Sequence, residues 1–396
     1  MRVLGLIVEY NPFHNGHLYH VQQAQELVQP DCTVAVMSGP FLQRGEPAVM
    51  PAWERTETAL SCGIDLVVEL PAVFAVQNAA IFAEGAVQVL HELGVTDICF
   101  GSEHGIVQPF YDACSWLEEN EKALEERLTD QLKKGSSFPR SYEKAVASMN
   151  PPDGMTDMQQ PNNALGLQYV KAARRFGITM HTIPRIEASY HEEHLRTASR
   201  IASATAIRRS INEGKDAAEV SPYLPARSWE KLTGFLDSDG LIHTWEAYYP
   251  FLQHQLELLE PDGIKEIFGC VEGLESVMYK HRHQANAEQF FRAVKSKRYT
   301  RTRLQRLAVA VLLGWKQNAV EACLEYGVDS IRVFGMNKRG RERLRHLQST
   351  LPVYTMAKEQ RNGMSALSLK AAAVHKLALP AVSRKSVYEE TVRVYD

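Results

Sequence analysis

The sequence predicts an α/β protein, a doubly wound parallel sheet followed by a mainly helical C-terminal part. Three observations lead there. Apolar runs at 2–9, 32–38, 64–70, 97–101 and 178–183 carry little polar alternation, the pattern of strands buried on both faces. Between them lie stretches of helical period, Leu18, Val21, Ala24, Leu27 and Val28 behind the first run, and Ile81, Phe82, Ala86, Val89, Leu90 and Leu93 behind the third. From about residue 211 helical periods dominate, broken only by strand-like runs at 330–334 and 351–354.

Taken in order, strand–helix–strand repeats imply right-handed crossovers and a parallel sheet covered on both faces. Ligands of such sheets sit beyond the C-terminal strand ends, so the residues just after each strand carry the functional expectation. The first strand runs into Glu9-Tyr10-Asn11-Pro12-Phe13-His14-Asn15-Gly16-His17, where Pro12 and Gly16 shape a turn and Asn15 is the expected N-cap of the following helix. The second strand runs into Gln43-Arg44-Gly45-Glu46, the fourth ends at Gly101, and the fifth is followed by Pro184 and Arg185. Residues 221–228, with Pro222 and Pro225, read as a linker that divides an α/β domain, 1–220, from a helical domain, 221–396.

Composition narrows the class. With 396 residues, 45% hydrophobic and 23% charged, the chain excludes collagen-like, coiled-coil and disordered readings. Its Cys32, Cys62, Cys99, Cys114, Cys270 and Cys323 form no CxxC pair and no metal-ligand spacing with histidine, so no metal site is expected and a reducing cytoplasm is. The opening apolar run is too short for a signal segment, and 307–315 is too short to span a bilayer, so no membrane association is expected. A formal net charge of −3 offers no bulk sign of a polyanion partner.

His14 and His17 stand at a helix N-terminus, where free N–H groups and the positive dipole end favour anions. There they can bond triphosphate oxygens and stabilise charge as the α–β bond breaks. The same spacing also suits one capping histidine and one surface histidine, so HxxH alone decides nothing. His14-Asn15-Gly16-His17 resembles the HIGH signature of the nucleotidylyltransferase superfamily, and Ser203-Ala204-Thr205-Ala206-Ile207-Arg208 resembles its second signature. Ser203 and Thr205 are good cap residues, and Arg208 lies one turn inside, placed to reach the β and γ phosphates; a solvated helix arginine is the bland reading. Ala204 departs from the usual serine.

Further stretches, 9–20, 37–47 (MSGPFLQRGEP), 65–71 (DLVVELP), 100–103 (FGSE), 161–165 (PNNAL) and 200–208, are similar to the tRNA(Met) cytidine acetate ligase family along essentially the whole chain. The resemblance implies a Rossmann-like fold of the HIGH nucleotidylyltransferase type in a cytoplasmic enzyme. Such an enzyme uses ATP and acetate to acetylate the wobble cytidine of elongator tRNA(Met) through acetyl-adenylate, and Mg²⁺ is expected with ATP because charge on the pyrophosphate leaving group must be neutralised. It implies catalytic roles for His14, His17 and Arg208. It places ATP on Ile7, Val8, Glu9, Tyr10, Asn11, Pro12, Phe13, His14, Asn15, Gly16, His17, Leu18, Tyr19 and His20, with Gly101, Asn162, Arg185, Ser203 and Thr205. On its own, Gly101 is equally a strand-ending turn glycine, Asn162 a helix cap, and Arg185 a surface ion-pair residue. A small-molecule nucleotidylyltransferase acting on a phosphorylated coenzyme precursor is the competing function.

Between Glu288 and Glu321 there is no acid, while Arg292, Lys295, Lys297, Arg298, Arg301, Arg303, Arg306 and Lys316 crowd the interval. Phe290, Phe291 and Tyr299 are interleaved, as if to stack on unpaired bases. A second cluster holds Lys338, Arg339, Arg341, Arg343 and Arg345 around Gly340, loosely like a turn that offers amides to phosphate. Solvated helix faces paired to acids elsewhere are the alternative. A tRNA surface is expected on Lys295, Lys297, Arg298, Arg301, Arg303, Arg306, Lys338 and Arg339.

Overall fold

The computed structural model describes residues 1–395 except 153, 186–199, 214–216, 240, 241, 272, 357, 359–362, 381–383 and 385. The five expected strands form as β1 (Val3–Val8), β2 (Cys32–Ser38), β3 (Leu66–Leu70), β4 (Asp97–Ser102) and β5 (Thr179–Pro184). They lie parallel, in the order β5-β4-β1-β2-β3. Helices cover both faces. Asn15–Val28 and Ala52–Ser61 pack on one through Val21, Ala24, Ala59 and Leu60, and Ala79–Glu92 and Pro161–Arg174 pack on the other through Phe82, Val89, Leu167 and Val170.

The sheet does not stop at residue 220. The run expected at 330–334 becomes β6 (Ile331–Met336), antiparallel to β3, and carries the sheet on to β7 (Val353–Tyr354) and β8 (Arg393–Val394). One buried cluster extends from Val3 and Val34 to Phe290, Leu307 and Val333, so the helices of the second half share their core with the sheet. Ile331, Val333 and Met336 are as apolar as any strand of the first half, and pairing with β3 satisfies an edge that would otherwise stand open.

The expected linker at 221–228 is a packed segment. Val220, Tyr223 and Leu224 are buried against Val49, Met50 and Ile207, and the Ser228 hydroxyl donates to the Phe13 carbonyl at 2.5 Å. Its prolines mark a change of element, with a 3₁₀ turn at Ala217–Tyr223 leading into helix Ala226–Asp239, while its apolar side chains keep it in the core. Among the described residues no helix is long and apolar enough to cross a membrane.

Candidate nucleotide site and basic surface

The strand order reverses direction between β1 and β4, and a crevice opens at such a switch point beyond the C-terminal strand ends. In each of these strands one residue alone escapes full burial, Ile7 in β1 and Gly101 in β4. Both belong to the expected ATP set. Val8, Tyr10 and Phe13 of that set are buried beneath the loop, and Leu18 and Tyr19 pack against the same core, so these side chains shape the loop from below.

The helix behind β1 begins one residue earlier than expected. Its N-cap is His14, whose Nδ1 accepts from the Gly16 N–H at 3.1 Å, while His17 Nδ1 accepts from the His14 N–H at 3.2 Å. This is a capping box made of two imidazoles. Asn15 becomes the first helical residue, and its amide ties the loop to the Arg200 and Pro222 carbonyls at 2.8 and 2.9 Å. The two rings stack with centroids 3.7 Å apart. Because both Nδ1 atoms accept, each neutral ring carries its proton on Nε2, as a donor. Burial, then the Arg185 and Arg208 charges, push the His14 imidazole down to about 3. Burial chiefly, then the charges of its neighbours, holds His17 well below its ordinary range, and His20 is lowered to about 4 by burial and Arg185. Among the described residues His20 Nε2 is buried without a hydrogen-bond partner.

Arg208 reaches this loop from helix Ala204–Asn212, which Ser203 caps by accepting from the Ala206 N–H at 3.0 Å. Its Nη1 donates to the Asn11 carbonyl at 3.0 Å, and its Nη2 lies 3.4 Å from Thr205 Oγ1 and 3.6 Å from Glu46 Oε2. Arg208 is therefore no solvated helix arginine. From the other side comes Arg185, whose stem lies 3.4 Å from where a Gly101 Cβ would stand. Its Nη1 donates to Asn162 Oδ1 at 3.1 Å.

Asn162 is not the helix cap. Helix Pro161–Arg174 is capped by Gln160 without a side-chain bond, and Asn162 instead donates to Glu103 Oε1 at 2.8 Å, while Glu103 Oε2 accepts from the Asn163 N–H at 3.1 Å. Pro161 at the first helical position leaves this turn's free amides to an outside carboxylate, and Glu103, just past β4, supplies it. Glu9, the first residue beyond β1, accepts at Oε1 from the Gln43 N–H at 2.7 Å. Burial first, and Glu46 as well, raise its carboxyl against the bond from Gln43 and the Arg44 and Arg208 charges.

Two residues to which the sequence alone attaches no role are central. Glu103 closes the FGSE stretch. Arg55, fully buried in helix Ala52–Ser61, gives its guanidinium to carbonyls at the ends of β1 and β2. The available signal was an arginine one turn before Ala59, on the stripe of that helix that faces the sheet.

The basic stretches divide. Lys295, Lys297 and Arg298 occupy an exposed turn between helices Ala287–Val294 and Arg301–Leu313, and Arg303 is exposed on the first turn of the latter. Tyr299 lies between the Arg298 and Arg303 guanidiniums, 5.7 and 5.4 Å from its ring centre. Arg301 is committed to Glu288 at 2.7 Å and to the Phe291 face. Arg306 donates to the Gln43 carbonyl at 2.8 Å, and burial, with Arg303 and Arg44 nearby, lowers it to about 10. This contact fastens the 40–47 hairpin to the basic helix, and there Gly45, at φ 75°, leaves no room for a Cβ against the Arg306 backbone.

Phe290 and Phe291 do not stack on a ligand. Both are fully buried against Tyr249 and Trp245, because the apolar face of their helix turns inward. Lys338 and Arg339 sit at the other end of the sheet. Their helix, Lys338–Arg345, is capped by Asn337, which accepts from the Gly340 N–H at 3.0 Å and donates to Asp65 Oδ1 at 2.7 Å, just ahead of β3. The Gly340 amide is thus spent on its own cap, and a Cβ there would stand 2.1 Å from the Asp65 carbonyl oxygen. A strand's length, roughly 20 Å, separates this cluster from the loop at 9–17.

Three comparisons with known proteins agree on the family. The HIGH Nucleotidyl Transferase family matches residues 1–390. A tRNA(Met) cytidine acetate ligase of Anoxybacillus flavithermus is 42% identical over 368 residues, 91% of each chain. The solved apo structure of Thermotoga maritima TmcAL superposes with a TM-score of 0.92 at 34% identity, covering 100% of this chain and 99% of that one. A second TmcAL structure, bound with alpha-thio ATP, gives 0.88 at the same identity and coverage.

Proposed function

The chain belongs to the HIGH nucleotidyl transferase family and, within it, to the tRNA(Met) cytidine acetate ligases, and on that premise we propose how its residues divide the work. It is an ATP-dependent ligase that acetylates a tRNA cytidine. ATP occupies the crevice between β1 and β4, and the supporting observation is the stacked His14 and His17 pair with Arg185 and Arg208 near enough for their charges to act on His14. Two neutral Nε2–H donors, two guanidiniums and a helix N-terminus converge where a triphosphate needs them.

An acetate oxygen attacks the α-phosphorus, and the bond to pyrophosphate breaks with its electron pair leaving on pyrophosphate. Acetate, with an ordinary pKa of about 4, needs no base. His14, His17 and Arg208 stabilise the charge that gathers on the leaving group, and the crevice orients the reactants. The cytidine N4 lone pair then attacks the acetyl carbonyl carbon, the bond to AMP breaks, and N4 releases a proton. Mg²⁺ brought by ATP would neutralise phosphate charge, and Glu9 and Glu46 are the carboxylates beside the loop that would hold it. Among the described residues no three His, Cys, Asp or Glu gather to hold a metal unaided.

The tRNA lies on the exposed turn at 295–298 and Arg303, with the wobble base led toward the crevice along the 40–47 hairpin that Arg306 joins to that surface. Lys338 and Arg339, at the far end of the sheet, are a second contact on an RNA longer than the strands. The cytoplasm, where charged tRNA is used, is its place of work.

Incubation with ATP, Mg²⁺, labelled acetate and total tRNA tests the proposal. Label in tRNA with stoichiometric pyrophosphate is expected. Pyrophosphate that depends only on a phosphorylated metabolite would replace this reading with the small-molecule transferase, and tight tRNA binding without label would replace it with a non-catalytic RNA-binding protein. His17→Ala is expected to abolish product while tRNA affinity stays unchanged.

A further inference from the structure

We infer that Arg55 is the positioning residue of the nucleotide site, a buried guanidinium that sets the two ligand loops, 9–14 and 39–50, at one fixed spacing. Its Nη1 donates to the Glu9 carbonyl at 2.6 Å and the Ser38 carbonyl at 3.0 Å, its Nη2 to the Gly39 carbonyl, and its Nε to the Met50 carbonyl at 3.3 Å. These carbonyls belong to the first residue beyond β1, the last residue of β2, and both ends of the loop that carries Gln43 and Glu46. Arg55 itself is 0% exposed and reaches none of the space a ligand could fill.

The arrangement is specific to a guanidinium. Its N–H groups fan out in one plane, so a single side chain can bond carbonyls from separate segments, which an ammonium on a shorter reach cannot do in the same geometry. Its charge is balanced by Glu9 on one side and Glu69 on the other, which both act to keep it charged against the burial that lowers it. Behind the second loop, Glu69 Oε1 stands 2.8 Å from where a Gly39 Cβ would be, so glycine lets that carboxylate close in. Two further hydrogen bonds join the loops, the Val49 N–H to Asn11 Oδ1 at 2.7 Å and the Gln43 N–H to Glu9 Oε1 at 2.7 Å, and the Arg44 charge acts on Glu9 as well. Because Arg208 hangs from the Asn11 carbonyl and pairs with Glu46, a shift between the loops moves Arg208 relative to His14.

This inference rests on the reading of the loops as the ATP site, and one set of measurements separates the two. Calorimetry of wild-type protein with ATP comes first, since no binding there defeats the reading itself. Given binding, Arg55→Lys is expected to fold, by far-UV circular dichroism, and to raise the KM for ATP at least tenfold, with a smaller loss in kcat. Arg55→Ala supplies a chemical test, because it removes the length of an ethylguanidinium. Added ethylguanidinium is expected to restore at least a third of the lost ATP affinity, and ethylammonium at the same concentration none. A folded Arg55→Lys with wild-type KM and kcat overturns the inference, as does equal rescue by both cations. If neither variant folds, Arg55 is a folding residue and the positioning role is refuted.

Discussion

Two imidazoles cap one helix in this protein, and that arrangement decides their chemistry. Each Nδ1 holds a backbone N–H, so protonating either ring would break the cap as well as charge it. Gly16 is what lets His14 fold back, since a Cβ there would stand 2.9 Å from His14 Cε1. Gly16→Ala is expected to slow acetate-dependent ATP–pyrophosphate exchange about a hundredfold, the cost of displacing a catalytic group by an ångström. Urea titration should show a stability change of no more than about 1 kcal/mol. A second expectation concerns pH. Unfolded histidine titrates near 6.5 and folded His14 near 3, so between those values the unfolded chain holds a proton that the folded one refuses. Stability from this residue is therefore complete above 6.5 and falls as the pH drops through that window, by on the order of 1 kcal/mol per unit. Urea midpoints from pH 7 to 4 should fall more steeply than this one residue accounts for, because His17 and His20 are lowered as well, and His14→Asn should take one residue's share off the slope. HxxH in the sequence showed the residues but not this reciprocity, because either residue at the first position, His14 or Asn15, could have been the cap.

Among the elements, strands proved more legible than the segments between helices. The five parallel strands were evident from their unbroken apolar runs, and β6 was visible for the same reason, though its partner was not. Pairing with β3 is a contact between residues far apart in the chain, which periodicity cannot report. The stretch at 221–228 was misread because two prolines outweighed Tyr223 and Leu224. Phe290 and Phe291 were misread because interleaving with arginine looks alike whether the aromatic faces inward or outward. The basic turn at 295–298 yields a prediction of its own. Lys297→Ala with Arg298→Ala should weaken tRNA binding and reduce the slope of log affinity against log salt by roughly 0.7–0.9 for each phosphate no longer neutralised, leaving the KM for ATP unchanged. Filter binding from low to high salt measures it. Lys338→Ala with Arg339→Ala, at the remote end of the sheet, should change the slope less.

For the whole molecule, the division at residue 220 that composition suggests is not a division of the core. The near-zero net charge also concealed a sorting of charge by location, with the acid-free interval folded beside the 40–47 hairpin. A chain ending at residue 220 would bare the β3 edge, Leu66–Leu70, together with the short helix Ala72–Ala75, which packs against helices Gln317–Tyr326 and Gly363–His375. Such a fragment is expected to be recovered only from inclusion bodies, and co-expression of 221–396 should return part of it to the soluble fraction, as seen by gel filtration.

The antiparallel partner of β3 also has a place in time. β3 leaves the ribosome long before β6 is made, and β8, which backs β6, comes almost at the end of the chain. At about 5–20 residues per second the nascent protein carries a bare strand edge for roughly ten to fifty seconds. Its soluble yield is therefore expected to fall when slow synonymous codons are placed between those strands and to recover with added holdase.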